Sequence, residues 1–395
     1  MMRIAYVSAD AGVPVFGRKG CSVHAQEMIR AFQRHGGQVD LFAARLDEPP
    51  PYGLEPLRVH RLPPIRDGRP AEHAAAVAAL NRELATALGR AGSYDLVYER
   101  YSLWSFAAME HARAAGIPGV LEVNAPLIEE QTAHRGLRDA AGAGRVAARV
   151  FGAAAALVAV SAEVAAWLER YPSVRGRVHV LPNGVDPARF RPDVPPAAPG
   201  PPGTFTVGFV GSMKPWHGLP VLIEAFARLH HRDAATRLLL VGGGPEEAAV
   251  RTELAARGLA VASHLSGAVA PSDVPALVTS MDVAVAPYPE SRRFYFSPLK
   301  VYEYLAAGRA VVASRVGQLE GLIQHDVTGL LCPAGDGAAL AAALERLQCE
   351  PELRTRLGRA ARASMLQSHT WEARAARVLQ LASGARQGRR ARVRA

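Results

Sequence analysis

Cysteine is scarce: Cys21, Cys332 and Cys349 are the only three in 395 residues, widely spaced and odd in number. Neither a disulfide framework nor a zinc pattern can be built from them, and reduced thiols are the simple reading. Long apolar runs are missing too. The nearest, residues 151–160, is short and alanine-rich, well below the roughly 20 residues a membrane span needs. Met1-Met2-Arg3-Ile4 leads directly into a strand pattern, without a charged region, apolar region and cleavage site in series. A cytoplasmic location is therefore expected. The glycine-rich turn after the first strand is not G-x-G-x-x-G, so the nicotinamide fingerprint is absent. No two aspartates stand at a strand end in D-x-D spacing, and no metal site is expected. Basic residues interleaved with aromatics, the mark of a nucleic-acid module, are lacking as well. Much of the net charge of +10 lies instead in Arg386, Arg389, Arg390, Arg392 and Arg394, a run without acids. Such a run reads as a solvated tail and a candidate for weak contact with anionic lipid.

What is present points to two domains, since 395 residues exceed what one core usually holds. Hydrophobic residues make up 49% and charged residues 21%, close to a soluble globular average. Residues 191–203, RPDVPPAAPGPPG, hold six prolines and two glycines and read as a stiff interdomain linker. Short β-rich runs alternate with helical stretches on both sides of it. They fall at 3–8, 38–43, 95–98, 119–123, 156–160 and 178–181, then at 205–210, 237–241, 283–286, 310–313 and 330–332. Strands separated by helices imply βαβ units and parallel sheets. The expected layout is a first Rossmann-like domain over 1–190 and a second over 204–370. A last helix at 371–383 could belong to either domain, and a basic tail fills 384–395. Residues 46–70, rich in proline, are expected as a surface excursion. In doubly wound sheets ligands sit beyond the carboxyl ends of the strands, so a cleft between two such sheets is the natural active site.

Residues 294–308 carry the sharpest chemistry. Ser297-Pro298-Leu299-Lys300 places a proline where a helix should open, its fixed φ suiting the first helical position. Free N–H groups around Ser297 to Lys300 would face an anion, and the lysine adds charge. Glu303, three residues on, lies on the same face and can accept two hydrogen bonds from a ribose diol. One helix start thus offers a diphosphate cradle and a ribose hook. Near the first strand, Gly12, Gly17 and Gly20 allow close approach of a ligand, and His24 could touch a phosphate or sugar or be incidental. In the second half, Gly211 ends a strand and Lys214 follows at its mouth. Val241-Gly242-Gly243-Gly244-Pro245 reads either as a surface for a flat base or sugar ring, with Gly243 at its centre, or as an ordinary turn. Asn183-Gly184-Val185-Asp186 is expected as a tight turn using a positive φ at Gly184. Polar stretches after strand ends, Glu99-Arg100-Tyr101 and 124–135 with Glu129, Glu130 and His134, are the acceptor candidates.

In order and spacing these motifs resemble glycosyltransferase family 4, from the Gly17–Gly20 loop to about residue 370. The resemblance implies an α/β GT-B fold, two doubly wound Rossmann-like domains facing across a cleft. It also implies a nucleotide-sugar donor held mainly by the C-terminal domain, and retention at the anomeric carbon without a cofactor or metal. Lys214 and Lys300 would stabilise the leaving diphosphate; Gly20, Gly211, Gly243, Ser297, Pro298, Leu299 and Glu303 would line the donor. Three positions depart from the family pattern. Tyr295 stands where a donor-sugar glutamate is usual, and Asn124 where a histidine near the reacting sugar is usual. Ser212 and His217 stand where an arginine and a lysine are usual. Lys214 would supply the missing charge, or else a protonated His217. The expected activity is sugar transfer from a nucleotide-diphosphate sugar to an acceptor hydroxyl; the alternative is a nucleotide-sugar epimerase on a similar fold. Donor base, sugar, acceptor and oligomeric state are left open by the sequence.

Overall fold

The computed structural model describes residues 1–65, 70–134, 136–291 and 294–394, and the side chains of all of these except 70 and 388–394. Arg135, the last of the acceptor stretch, and the side chains of Arg389, Arg390, Arg392 and Arg394 lie outside the described residues. Two compact units emerge. The first is Met1–Asn183 with Tyr295–Ser297 and Trp371–Ala395; the second is Gly184–Phe294 with Pro298–Thr370.

In the first unit the chain runs β1 (Met2–Ser8), α1 (Gly20–Arg34), β2 (Gly37–Ala43), β3 (Arg58–Arg61), α2 (Pro70–Ala91) and β4 (Leu96–Arg100). It continues through α3 (Ala107–Ala115), β5 (Gly119–Val123), α4 (Leu127–His134), α5 (Ala140–Ala153), β6 (Ala156–Ala159), α6 (Ala162–Leu168) and β7 (Val178–Val180). The strands pair in parallel in the order β3-β2-β1-β4-β5-β6-β7. Central strands are apolar and buried on both faces, as helices covering a parallel sheet require. Val7, Val97, Leu121 and Leu157 pack with Phe151 and Trp167 in its core.

The second unit runs β8 (Phe205–Val210), α7 (Leu219–Arg232), β9 (Thr236–Val241), α8 (Glu247–Ala256), β10 (Ser263–Leu265), α9 (Val274–Val278) and β11 (Val283–Ala286). It then forms α10 (Leu299–Ala306), β12 (Ala310–Ser314), α11 (Leu319–Leu322), β13 (Leu330–Cys332), α12 (Gly337–Cys349) and α13 (Pro351–Ser368). Its parallel order is β10-β9-β8-β11-β12-β13. Phe209, Leu238, Leu240 and Val283 meet Leu222, Phe226 and Leu344 beneath the covering helices. The closing helix α14 (Trp371–Arg394) groups with the first unit, where Glu372 pairs with Arg34 at 2.6 Å.

Several expectations change. Residues 191–203 lie inside the second unit rather than linking the two. Ala197 N–H bonds the Ala276 carbonyl at 2.9 Å and Ala198 N–H bonds Ser280 Oγ at 3.0 Å. Proline removes only its own N–H, so the residues among the prolines still find partners. Within the stretch expected as a surface excursion, 58–61 forms β3 on the edge of β2, with His60 stacked on Phe42. Gly184 has no positive φ, and the next residue, Val185, forms an isolated bridge with Thr370. The end of the chain continues as helix to Arg394, as alanine and arginine favour.

Candidate functional site

Strand order in the second sheet reverses between β8 and β11, and the crevice beyond such strand ends is where ligands settle. Gly211 follows β8 and Tyr288 lies just past β11. Lys300, in the first turn of α10, brings its ammonium to this place. Nζ sits 3.9 Å from the Phe209 ring centroid and 5.6 Å from that of Tyr288. A Cβ on Gly211, whose φ is +143°, would lie 2.9 Å from Nζ, so glycine is what admits the lysine. The side chain is buried, and among the described residues Nζ has no hydrogen-bond partner. Burial pulls its pKa down to about 7, opposed by the nearby Glu303 carboxylate. A buried ammonium without a partner is costly unless an anion completes it. Glu303 lies one turn further along α10, partly exposed.

Around this point the loops are laced by backbone. Gly211 N–H bonds the Val241 carbonyl at 2.8 Å, Met213 N–H the Gly243 carbonyl at 2.9 Å, and Glu246 N–H the Met213 carbonyl at 3.1 Å. Gly242 takes φ +122°, and a Cβ there would lie 2.3 Å from the Gly211 carbonyl oxygen. Gly242 and Gly244 therefore lie against protein backbone, whereas a Cβ on Gly243 would meet the Glu247 carboxylate first, at 3.1 Å. Lys214 precedes a short 3₁₀ turn, its Nζ 5.6 Å from the Trp216 ring centroid. His217 Nδ1 donates to the Ser212 carbonyl at 2.5 Å. Burial, then the charge of Lys300, lowers its pKa to about 3, with Lys214 adding to the effect. His217 is thus neutral at neutral pH, which corrects the alternative that it supplies positive charge. Pro298 caps α10 rather than opening it, and Leu299 is the first helical residue.

In the first sheet the order reverses between β1 and β4, where Ser8 faces Arg100 and Arg100 faces Glu122 in register. His24 is buried on α1. Its Nδ1 lies 2.9 Å from Asn183 Oδ1 and its Nε2 2.6 Å from Glu122 Oε1. Trp371 meets the ring edge-on at 5.0 Å. Arg100 Nη1 stands 3.8 Å from Glu122 Oε2. Burial pushes the Glu122 carboxyl up, but His24, Arg100 and the Tyr98 hydroxyl outweigh it and hold the pKa below the usual carboxylate range. Ser8 Oγ, Arg100 Nη1 and Asn124 Oδ1 are buried without hydrogen-bond partners among the described residues. Gly20 is the first residue of α1. Glu129, on α4, accepts from Trp167 Nε1 at 2.7 Å and pairs with Arg170, while His134 ends that helix. Tyr295 OH donates to Glu130 Oε2 at 3.0 Å. Ser297 Oγ accepts from Asn183 N–H at 2.9 Å, and the Ser297 carbonyl from Asn183 Nδ2 at 2.5 Å. Sequence reasoning passed over Glu122; its one signal was a carboxylate inside the otherwise apolar run Gly119-Val120-Leu121-Glu122-Val123.

Residues 18–189 match a family model described as Glycosyltransferase Family 4, and residues 204–349 one described as Glycosyl transferases group 1. A D-inositol 3-phosphate glycosyltransferase of Pseudarthrobacter chlorophenolicus is 32% identical over 305 residues, spanning 73% of this chain and 70% of that one. The chain belongs to glycosyltransferase family 4. A similarly named enzyme of Acidothermus cellulolyticus is 29% identical over 382 residues, covering 89% of this chain and 83% of its own. Among solved structures, a sucrose-phosphate synthase from Thermosynechococcus elongatus superposes with TM-score 0.74 at 21% identity, over 96% of this chain and 98% of that one. The Anabaena protein Alr3699/HepE, solved with UDP and glucose, gives 0.71 at 19%, over 97% and 100%. The fold of this family 4 member is accordingly GT-B, with two Rossmann-like domains, and it is a glycosyltransferase. The transferase reading stands and the epimerase alternative has no support.

Proposed function

We propose that the second unit binds a UDP-sugar with its diphosphate against Lys300, and that transfer to a polyol hydroxyl proceeds with retention and without a metal. The observation that carries this is the buried, unpartnered Lys300 ammonium at the switch point of the second sheet. A diphosphate there would complete the lysine and meet free N–H groups at the start of α10. Glu303 would accept from the ribose hydroxyls. As the bond between the anomeric carbon and the phosphate oxygen breaks, charge grows on the diphosphate, and Lys300 with Lys214 would stabilise it. The acceptor oxygen forms its bond on the same face, and its proton passes to the departing phosphate. Asn124 can hydrogen-bond a sugar but cannot carry that proton. UDP is favoured because the similar Anabaena protein was solved with it, and a polyol because the relatives are named for inositol 3-phosphate. Arg100 and Asn124 are the acceptor residues favoured here; Glu129 is already committed to Trp167 and Arg170.

Calorimetric titration with UDP, GDP and ADP, followed by transfer assays on myo-inositol and inositol 3-phosphate, tests this reading. Binding of no nucleoside diphosphate would sink it. The arginine-rich end of α14 favours weak contact with anionic lipid, at the cytoplasmic face of a membrane. Among the described residues no helix is long and apolar enough to cross one. Co-sedimentation with phosphatidylserine vesicles, and its loss on deleting residues 386–395, is the expected outcome. Equal recovery with neutral vesicles would remove the lipid contact.

A further inference from the structure

Three residues from the second half of the sequence, Tyr295–Ser297, belong to the first unit. Polar contacts hold them there. One is the bond from Tyr295 OH to Glu130 Oε2 on α4. Another is a chain of contacts that starts in the core of the sheet. Glu122, buried on β5, faces His24 Nε2 at 2.6 Å; His24 Nδ1 faces Asn183 Oδ1 at 2.9 Å. Asn183 then grips Ser297 twice, through its backbone N–H to Oγ and through Nδ2 to the carbonyl. Its own carbonyl accepts from Arg374 Nε at 3.5 Å. Every polar group of Asn183 is therefore engaged, in a side chain that is itself buried.

We infer that Glu122, His24 and Asn183 are positioning residues for the donor helix, acting through Ser297 rather than by touching substrate. The inference rests on the reading of α10 as the diphosphate-binding helix. Ser297 immediately precedes Pro298, the cap of α10, and Lys300 and Glu303 follow within six residues. Two bonds to Ser297 fix its backbone and hence the direction in which the chain approaches that cap. A buried carboxylate is well suited to the far end of the chain. Both ring nitrogens of His24 face oxygen acceptors, so Nε2–H points to the carboxylate and Nδ1–H donates to Asn183 Oδ1, which leaves Nδ2 for Ser297. Reactive geometry is sensitive to shifts of about 1 Å, so losing such a brace should be felt at Lys300 and Glu303 without contact to either.

The test uses Glu122→Gln, which keeps shape and removes charge, Asn183→Ala, and the double variant. Calorimetry reads the Kd for UDP, or for GDP or ADP if that binds wild type more tightly; steady-state kinetics reads the acceptor KM. Each single variant should weaken nucleoside diphosphate binding by about 10-fold, and Asn183→Ala, which does not touch Arg100, should do so with the acceptor KM within about 2-fold, magnitudes in line with lost positioning. The double variant should bind no worse than Asn183→Ala, because Glu122 acts through Asn183. Multiplicative losses would overturn the relay. So would variants that melt earlier yet keep the wild-type Kd, since the contacts would then serve folding only. If Asn183→Ala does not fold, His24→Gln replaces it, with the same non-additivity expected against Glu122→Gln. Wild-type protein that binds no nucleoside diphosphate would sink the donor reading itself, a result distinct from either failure.

Discussion

Lys300 holds the most consequence of any one side chain. Its ammonium lies against Phe209, Tyr288 and the Gly211 backbone; Glu303 acts on its charge, and its charge in turn acts on His217, which Lys214 also influences. Burial lowers its pKa to about 7, so near neutral pH the free protein holds this lysine only partly charged. A diphosphate binds the charged form and raises the pKa, so binding must take up a proton. The sign follows: UDP affinity should be flat just below pH 7 and fall by about 10-fold per unit above it. Phosphate protonation, with a pKa of about 6, lies below that window. His217, lowered to about 3, stays neutral throughout and cannot mimic the effect. Titrations in two buffers of different ionisation heat should give an uptake near half a proton at pH 7, and Lys300→Met should abolish both uptake and slope. A slope that survives Lys300→Met would assign the proton elsewhere.

Among the elements, the paired loops after β8 and β9 show how a backbone constraint serves a side chain. Gly242, at φ +122° and 2.3 Å from the Gly211 oxygen by its would-be Cβ, keeps the Gly211 loop where Lys300 can pass beneath it. Gly242→Ala should cost about 1–3 kcal/mol of stability in urea unfolding, the range for a forced backbone conformation. It should also weaken UDP binding. Unchanged stability would mean the loop gives way and carries no constraint. That these glycines mattered was legible in the sequence, but not to what end, because a close backbone approach looks the same whether the neighbour is ligand or chain. Strands with long apolar runs, such as Phe205–Val210 and Gly119–Val123, were legible to the residue. The edge strands Arg58–Arg61 and Ser263–Leu265 were not, since an edge strand is partly exposed and needs little apolar signal. Lys300 and Glu303, the residues proposed for the donor, stood out in the sequence because one helix start gathers them. The Glu122–His24–Asn183–Ser297 chain was not, because four distant stretches meet only on folding.

At the scale of the whole molecule, the distribution of positive charge decides how the leaving group is handled. The net charge is +10, yet at the proposed donor site the charge comes to two lysines, Lys300 and Lys214, and a helix start. Glycosyl transfer from a nucleoside diphosphate requires stabilising charge on the departing phosphates, which a divalent ion or fixed cations can supply. Fixed cations need no close pair of carboxylates, and the chain offers none in D-x-D spacing. Turnover should therefore persist in excess EDTA, and NMR of the product should show the donor's anomeric configuration. Complete loss in EDTA restored by Mg²⁺ would mean that the two lysines and the helix start do not carry the leaving charge. Inversion would go further, since a hydroxyl attacking from the opposite face needs a general base there, and proton transfer to the departing phosphate could not serve. Neutral Asn124 cannot be that base, so an inverted product would move the search to the carboxylates Glu122 and Glu129. Each is now held by internal partners that such a mechanism would have to release.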